Sequence, residues 1–247
     1  MNIQNIIITL LIVVVLYVLY LYYYKSSSSK LFDTHEAISS FTVTPKSSGK
    51  GTSDNYTYSM WINIEDYGYN YGHPKAVMYR DGSDTNSVSP LIYLDANANN
   101  LLIMTSSLNG EPASCKINDV PIQTWFNLTI TLNGSVLDVY YNGKLVKSCI
   151  LFENTGTRGD PYKGGSDIYF CKAPSTTIIG LPTNMKSGFQ GQIANAMFLP
   201  NSINPEEAYD IYKSSSGQIN RSIHLNYKIR GTLFRNGKEW GETDISI

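Results

Sequence analysis

The chain has 247 residues, of which 19 are basic and 20 acidic, so its formal net charge is −1 at pH 7. A chain this balanced has no extended positive field to neutralise phosphates, which excludes nucleic acid as an expected partner. Its three cysteines are too few for a disulfide framework, and a domain of this size buries a sufficient core without one.

The N-terminal segment is apolar or aromatic almost throughout, and residues 1–24 carry no charged side chain. As a helix, the run from Ile6 to Tyr24 would rise about 28 Å, close to the hydrocarbon thickness of a bilayer. The segment lacks the preceding basic residue and the cleavage site of a signal peptide, and a buried core helix is not expected to be apolar on all sides at a terminus. We therefore predict a single-pass transmembrane anchor over residues 1–24, with lipid contacts from Ile6, Leu10, Val14, Tyr17 and Tyr24.

A Ser-rich spacer is predicted after the anchor, over residues 25–40. Lys25 and Lys30 flank the C-terminal side of the apolar run, whereas only the α-amino group lies on the other side. The positive-inside rule therefore places the rest of the chain in the cytosol, beside a host or virion membrane.

Beyond the spacer the sequence alternates between apolar and polar residues with a period of two, which indicates strands. In residues 55–64 the apolar face carries Tyr56, Tyr58, Met60, Ile62 and Ile64. Residues 125–151 form a predicted three-stranded meander, because Asn142-Gly143 favours a tight hairpin turn. Strands at regular spacing with Gly and Asn turns are typical of a β-sandwich or jelly roll.

One short helix is predicted at residues 204–213, with Asn204 as its N-cap and Pro205 in its first position. A second small spacer, Ser214–Gly217, follows it. The tail, residues 216–247, is predicted to form a β-hairpin that turns at Asn236-Gly237 and packs on the sandwich.

Five stretches carry a resemblance to a known family: "YTYSMWINIEDY", "PLIYLDANANNLLI", "CKINDVPIQTWFNLTITLNGSVLDVYYNGKLVKSCIL", "GFQGQIANAMF" and "NPEEAYDIYK". In this order they resemble the concanavalin A-like lectin/glucanase superfamily, of the laminin-G-like kind, over residues 40–215. The resemblance implies a mostly β protein, a concanavalin A-like jelly-roll β-sandwich with one short helix at residues 41–215.

The anchor, the "YGYNYGHPK" loop and the tail strand together resemble a membrane-associated subgroup in nucleocytoplasmic large DNA viruses. That similarity implies a virion component, such as a minor capsid protein or a membrane-to-capsid tether. Its implied partners are the lipid bilayer and capsid proteins.

Candidate chemistry is sparse. Glycoside hydrolases of the superfamily commonly carry paired carboxylates as E-x-D-x-E, and this triplet does not occur here, so we predict no catalytic residues and no enzyme. His35, His73 and His224 lie too far apart in sequence for a zinc site. Asp81 and Asp84 are candidate calcium ligands, whereas Asp95–Asn100 lacks the glycine and the final acid of a calcium loop and is interpreted as a hairpin turn.

A candidate ligand site lies in the turn-rich stretch that contains Tyr67, Tyr69, Tyr71 and His73. Flat aromatic rings stack on sugars and anchor protein interfaces, so the alternative function is a surface lectin that binds glycans. The other interpretation is a loop folded over its own sandwich.

The remaining sequence features concern covalent modification. Cys115, Cys149 and Cys171 are expected to be reduced and buried, with a Cys115–Cys149 bridge as the alternative if their strands are neighbours in an oxidising compartment. Asn-X-Ser/Thr triplets start at Asn55, Asn127, Asn133 and Asn220 and are interpreted as chance occurrences in an Asn-rich chain.

Overall fold

The computed structural model describes residues 3–24, 29–45, 55–82, 86–107, 110–151, 164–174, 178, 180–222, 228–235 and 238–246. Its first element is helix α1 (Ile3–Tyr24), which has no acidic residue in its first turn and no basic residue in its last. From Ile8 to Leu19 the large apolar side chains of α1 are exposed by 44% to 65%. No helix within the described part of the chain combines the length and the apolar character that a bilayer crossing requires. The transmembrane anchor at residues 1–24 therefore stays a prediction.

Two antiparallel sheets follow, and they confirm the predicted sandwich. The first sheet has six strands in the order β1-β13-β3-β8-β9-β10. Its strands are β1 (Ser29–Glu36), β3 (Tyr56–Asp66), β8 (Trp125–Asn133), β9 (Val136–Tyr141), β10 (Lys144–Ile150) and β13 (Gln190–Leu199). The second sheet has the order β2-β11-β4-β5-β6-β7, and β12 pairs in parallel with β4. Its strands are β2 (Phe41–Val43), β4 (Lys75–Gly82), β5 (Val88–Leu94), β6 (Leu101–Ser107), β7 (Gly110–Ile117), β11 (Gly164–Phe170) and β12 (Lys186–Ser187).

The core lies between the sheets because each strand turns one face inward. The predicted apolar face of β3 is confirmed: Tyr56, Tyr58, Met60, Ile62 and Ile64 all belong to the central cluster. The predicted meander is also confirmed as β8-β9-β10. Its second turn holds Asn142 at φ +49° and Gly143 at φ +73°, as an Asn-Gly hairpin turn requires.

The outer face of the first sheet carries a ladder of buried polar side chains. Thr57 Oγ1 donates to Thr131 Oγ1 at 2.8 Å, and Thr129 Oγ1 donates to Ser59 Oγ at 2.8 Å. Asn127 extends the ladder by donating from Nδ2 to Ser59 Oγ at 3.1 Å. These cross-strand bonds supply partners for the buried side chains of the ladder, which lie under a covering helix.

The covering element is helix α2 (Pro205–Ser222). Asn204 and Glu207 form the predicted N-terminal cap, since the Glu207 amide donates to Asn204 Oδ1 at 2.9 Å and the Asn204 amide to Glu207 Oε2 at 2.8 Å. The predicted end at residue 213 is wrong, because the helix continues through Ser214–Gly217. Ser215 explains the extension: it is buried, its hydroxyl donates to the Ile211 carbonyl at 2.7 Å, and it accepts the Trp61 indole N–H at 2.9 Å. Packing on the sheet thus outweighs the low helix propensity of serine.

One edge of the sandwich is joined by a disulfide. Cys115 on β7 bonds to Cys149 on β10, and these are the last strands of their sheets on the same side. The expectation of reduced thiols is therefore wrong for this pair, because the sheet order brings two distant strands together. Cys171 is free and buried, and burial raises the pKa of its thiol to about 12.

The opposite edge is closed by aromatic packing. Phe41 of β2 stacks on Phe170 of β11 at 5.1 Å and on His35 of β1 at 3.8 Å, and Phe32 of β1 packs edge-on against both phenylalanines at 4.8 Å. Strand β1 lies within residues 25–40, the segment predicted as a spacer, and pairs along β13.

The strand register gives the sandwich two distinct ends. Ser29, where β1 begins, pairs with Phe198 near the end of β13. At the other end, Gln190 of β13 pairs with Asp66 of β3, and Lys75 of β4 pairs with Leu94 of β5. We call these the Ser29 end and the loop end.

The tail forms the predicted hairpin, from β14 (Lys228–Arg235) and β15 (Lys238–Ser246), as a separate two-stranded sheet. Its predicted turn at Asn236-Gly237 lies outside the described residues.

Candidate binding site

The predicted ligand residues lie on one loop at the loop end of the sandwich. This tyrosine loop, residues 67–73, connects β3 to β4. Two local turns shape it, since the Tyr71 amide donates to the Gly68 carbonyl at 3.0 Å and the His73 amide to the Asn70 carbonyl at 3.1 Å. Asn70 and Gly72 adopt positive φ angles of +54° and +81°, which Asn and Gly tolerate best.

Tyr67 holds the tyrosine loop to its own scaffold. Its hydroxyl donates toward the carbonyls of Asp95, at 2.7 Å, and Ala98 in the neighbouring hairpin. Its ring also covers the buried Lys75 ammonium, 4.3 Å from the ring centroid. Burial raises the pKa of Tyr67 and lowers that of Lys75, the second effect being opposed by the Asp95 carboxylate. For Tyr67, the interpretation of a loop folded over its own sandwich is therefore correct.

The other predicted ligand residues are presented differently. Tyr71 is 64% exposed, whereas Tyr69 and His73 are partly buried. The Gly72 amide donates to the Ala96 carbonyl at 3.0 Å, so the backbone beside Tyr71 is fixed to the hairpin at residues 95–100. This arrangement offers one phenol ring on a preformed support.

The hairpin at residues 95–100 is a turn, as predicted. Asp95 accepts hydrogen bonds from the Ala96 amide at 2.6 Å and from Asn100 Nδ2 at 3.0 Å, and Lys116 lies 3.5 Å away. Burial acts to raise the pKa of the Asp95 carboxyl, but these hydrogen bonds and the Lys116 charge hold it below its usual value.

A second segment is hydrogen-bonded to Pro74, directly after the tyrosine loop. In this cover segment, residues 180–187, the Lys186 amide donates to the Pro74 carbonyl at 2.8 Å. Leu181 and Met185 pack on the outer face of the second sheet, against a cluster that includes Tyr79, Leu91 and Tyr93. Next to it is a hollow of about 300 Å³, lined by Pro174, Leu181, Pro182, Thr183, Asn184 and Met185.

No sequence pattern predicts this hollow. Its lining comes from one irregular stretch with no alternation of apolar residues, so only the return of that stretch over the sheet brings the side chains together. The residues Pro182 and Asn184, which favour turns, were the one available signal.

Of the two predicted calcium ligands, the structure describes only Asp81, and Asp81 does not lie at this site. Asp81 lies near the end of β4, towards the Ser29 end, and Asp84 lies outside the described residues. Burial raises the pKa of Asp81, although the Tyr169 hydroxyl and Lys172 act in the opposite direction. Among the described residues, no three His, Cys, Asp or Glu side chains are grouped to hold a metal ion.

The sheet order and the loop end define a lectin-like β-sandwich, a scaffold that holds connecting loops over two packed sheets. Residues 38–208 match the model of the Laminin_G_3 family, described as concanavalin A-like lectin/glucanases superfamily. The chain belongs to this family, which confirms the resemblance at the family level. No curated protein matches the sequence.

Solved structures of botulinum neurotoxin binding domains share the fold. The serotype G binding domain has a TM-score of 0.55 and 16% identity, covering 82% of this chain and 46% of that one. The serotype D ligand-binding domain, in complex with N-acetylneuraminic acid, has a TM-score of 0.54 and 18% identity over 80% of this chain and 44% of that one. The serotype DC binding domain, in complex with rat synaptotagmin II, has a TM-score of 0.52 and 17% identity, covering 71% of this chain and 40% of that one. This chain thus matches less than half the length of each.

Proposed function

We propose that this protein is a membrane-associated, non-enzymatic binding protein whose sandwich presents the tyrosine loop to a ligand. The observation that carries the proposal is the placement of that loop at the end opposite Ser29. Five residue steps separate Tyr24 of α1 from Ser29 of β1, a reach of at most about 18 Å. Strand β3 has 11 residues and spans about 36 Å. The loop end therefore points away from whatever holds α1.

Membrane attachment through α1 is the first part of the proposal. The apolar side chains of residues 8–19 are exposed around the helix, and a helix that is apolar on all sides is normally covered by protein or lipid. Lipid is the occupant we propose, because α1 carries no charged side chain.

A glycan is the ligand we propose for the tyrosine loop. The exposed Tyr71 ring offers a flat apolar surface of the kind that stacks on a sugar ring. The polar Thr183 and Asn184 line the hollow of the cover segment. Two of the similar toxin structures are complexes, one with N-acetylneuraminic acid and one with rat synaptotagmin II, which makes a glycan a ligand class to test here.

The test is a glycan array probed with the full chain in lipid nanodiscs, with and without calcium. Tyr71→Ala is expected to abolish the signal. The matched control is Tyr209→Ala, because Tyr209 is also an exposed tyrosine but lies on α2. A blank array for the unmodified protein contradicts the lectin proposal, and a signal that depends on calcium supports ligands at Asp81 and Asp84.

A second candidate function is the virion role implied by the viral resemblance: a minor capsid protein or membrane-to-capsid tether. The exposed apolar surface of α1 favours this virion role as much as the lectin role. In the virion role the sandwich would lie on the cytosolic, capsid-facing side of the membrane. Crosslinking mass spectrometry of native particles tests it. Crosslinks from Lys186 at the loop end to capsid proteins are expected, and their absence from intact particles contradicts this role.

A further inference from the structure

The turn between β8 and β9 presents an Asn-Gly-Ser triplet at the surface. Asn133 ends β8 and pairs with Val136 of β9, and Gly134 adopts φ +58°. The Gly134 amide donates to Asn55 Oδ1 at 2.7 Å, and the Ser135 carbonyl accepts from the Leu151 amide at 2.8 Å. These bonds fix the turn while the Asn133 side chain is exposed.

The triplets at Asn55 and Asn127 do not offer the same access. Asn127 is fully buried, and its Nδ2 donates to Ser59 Oγ and to the Met60 carbonyl. Asn55 is partly buried and its Oδ1 holds the Gly134 amide. The side chain of Asn220 lies outside the described residues. Asn133 is therefore the position of the three described where a large polar group can be attached without disturbing the packing.

The disulfide is an independent observation about the compartment. Cys115 and Cys149 are 34 residues apart and join the edges of both sheets. Disulfides form and persist in oxidising compartments, which are also where Asn-X-Ser/Thr triplets on surface loops receive oligosaccharides.

We propose that Asn133 carries an N-linked oligosaccharide and that the sandwich folds in the oxidising lumen of the secretory pathway. Nδ2 of Asn133 attacks the anomeric carbon of an oligosaccharide activated as a lipid diphosphate, supplied with its transferase by the host cell. One N–C bond forms, the C–O bond to the diphosphate breaks, the lipid diphosphate leaves, and Nδ2 gives one proton to a base of the transferase. This orientation is opposite to the one that Lys25 and Lys30 predict, and it is incompatible with the cytosolic, capsid-facing placement of the second candidate function.

An oligosaccharide at Asn133 does not depend on the ligand proposed for the tyrosine loop. A glycan at Asn133 lies at the Ser29 end, since Asn133 follows Leu132, which pairs with Tyr56 at the start of β3. The tyrosine loop at the opposite end stays uncovered.

The test is expression of the full chain in a eukaryotic cell, followed by peptide-N-glycosidase treatment. We expect one discrete downward step in mass, with aspartate in place of Asn133 in the peptide spectrum. Asn133→Gln and Ser135→Ala should each abolish the step, and Ser135→Thr should retain it because threonine also completes the triplet.

Alkylation of thiols before reduction serves as the folding and compartment control. Protection of Cys115 and Cys149 in all four proteins shows that the variants fold with the disulfide formed. Absence of a mass step with the disulfide intact overturns the proposal, as does a step that survives Asn133→Gln. Alkylation of both thiols in the unmodified protein also overturns it, because the compartment is then reducing.

Discussion

At the scale of single residues, Lys75 shows how this fold handles a buried charge. Its side chain is fully buried, its Nζ lies 3.4 Å from the His73 carbonyl, and the Tyr67 ring covers it. A charged ammonium in such surroundings loses hydration that one carbonyl and one ring replace only in part.

Lys75→Met should therefore remove one contribution to the pH dependence of the free energy of unfolding. Burial lowers the folded-state pKa of Lys75 below its ordinary value of 10.5. At pH values between the folded-state pKa and 10.5, the unfolded state binds more protons than the folded state. The contribution of Lys75 to the free energy of unfolding should therefore increase as pH rises towards 10.5. Urea denaturation at neutral and alkaline pH measures the effect as the difference between the unmodified protein and Lys75→Met.

The buried tyrosines that do not touch Lys75 contribute equally to both proteins, so their ionisation cancels in that difference, whereas Tyr67 covers Lys75 and is part of the measured effect. Lys186→Met is the control, because Lys186 is exposed on β12. A difference between the unmodified protein and Lys75→Met that stays constant with pH would contradict the prediction.

At the scale of elements, the turn between β9 and β10 supports helix α2 directly. A Cβ atom added to Gly143 would lie 2.9 Å from Tyr209 Cα and 3.1 Å from Tyr212 Cβ. Tyr212 in turn stacks on Trp61 at 5.6 Å. The glycine therefore permits both the turn and the approach of the helix.

Gly143→Ala is expected to destabilise the protein more than Gly72→Ala. Both glycines have positive φ angles, +73° and +81°, so both substitutions carry a left-handed backbone cost of about 1–2 kcal/mol. The space around Gly72 is open, whereas the alanine Cβ at position 143 would also push α2 away from the sheet. The free energies of unfolding from urea denaturation compare them, and equal losses would show that the helix yields without cost.

The disulfide between β7 and β10 should contribute measurably to stability. Closing a loop of 34 residues restricts the unfolded chain by about 3–4 kcal/mol in the loop-entropy model. The double variant Cys115→Ala/Cys149→Ala should lose this stabilisation together with any response of its unfolding midpoint to reductant. Cys171→Ala should keep the response, and a midpoint insensitive to reductant in the unmodified protein would count against the bond.

At the scale of the whole molecule, α1 and the sandwich have opposite surfaces. The sandwich buries the apolar faces of β3 and β8 in its core, whereas α1 exposes its apolar side chains. The helix therefore needs apolar surroundings of its own, separate from the core of the sandwich.

Leu11→Asp/Val14→Asp should release the protein from membranes. A charged side chain at the centre of a membrane helix costs about 2.5–3.5 kcal/mol on insertion scales, so two should outweigh the apolar gain of a short segment. Sedimentation of membranes without detergent measures the bound fraction, with Ile38→Asp on the sandwich as the control. An unmodified chain that stays in solution under these conditions would remove the membrane from the proposed function.

The sequence allowed the sandwich to be predicted because alternation marks the strands with one buried face, as in β3 and β8. It did not allow the Cys115–Cys149 bond to be predicted, since that depends on which strands end each sheet. The same limit applied at the site: Tyr67 and Tyr71 are alike in sequence, and only the hairpin at residues 95–100 decides which ring is held and which is presented. The course of the cover segment likewise depends on the outer face of the second sheet.

The antiparallel pairing of β1 with β13 has a mechanical consequence. Tension between a ligand at the loop end and a bilayer at α1 would run parallel to these strands. The hydrogen bonds of the β1-β13 ladder lie across that direction, so they would share the load in shear instead of opening one after another. The sandwich is therefore attached to its helix in the orientation that best resists pulling.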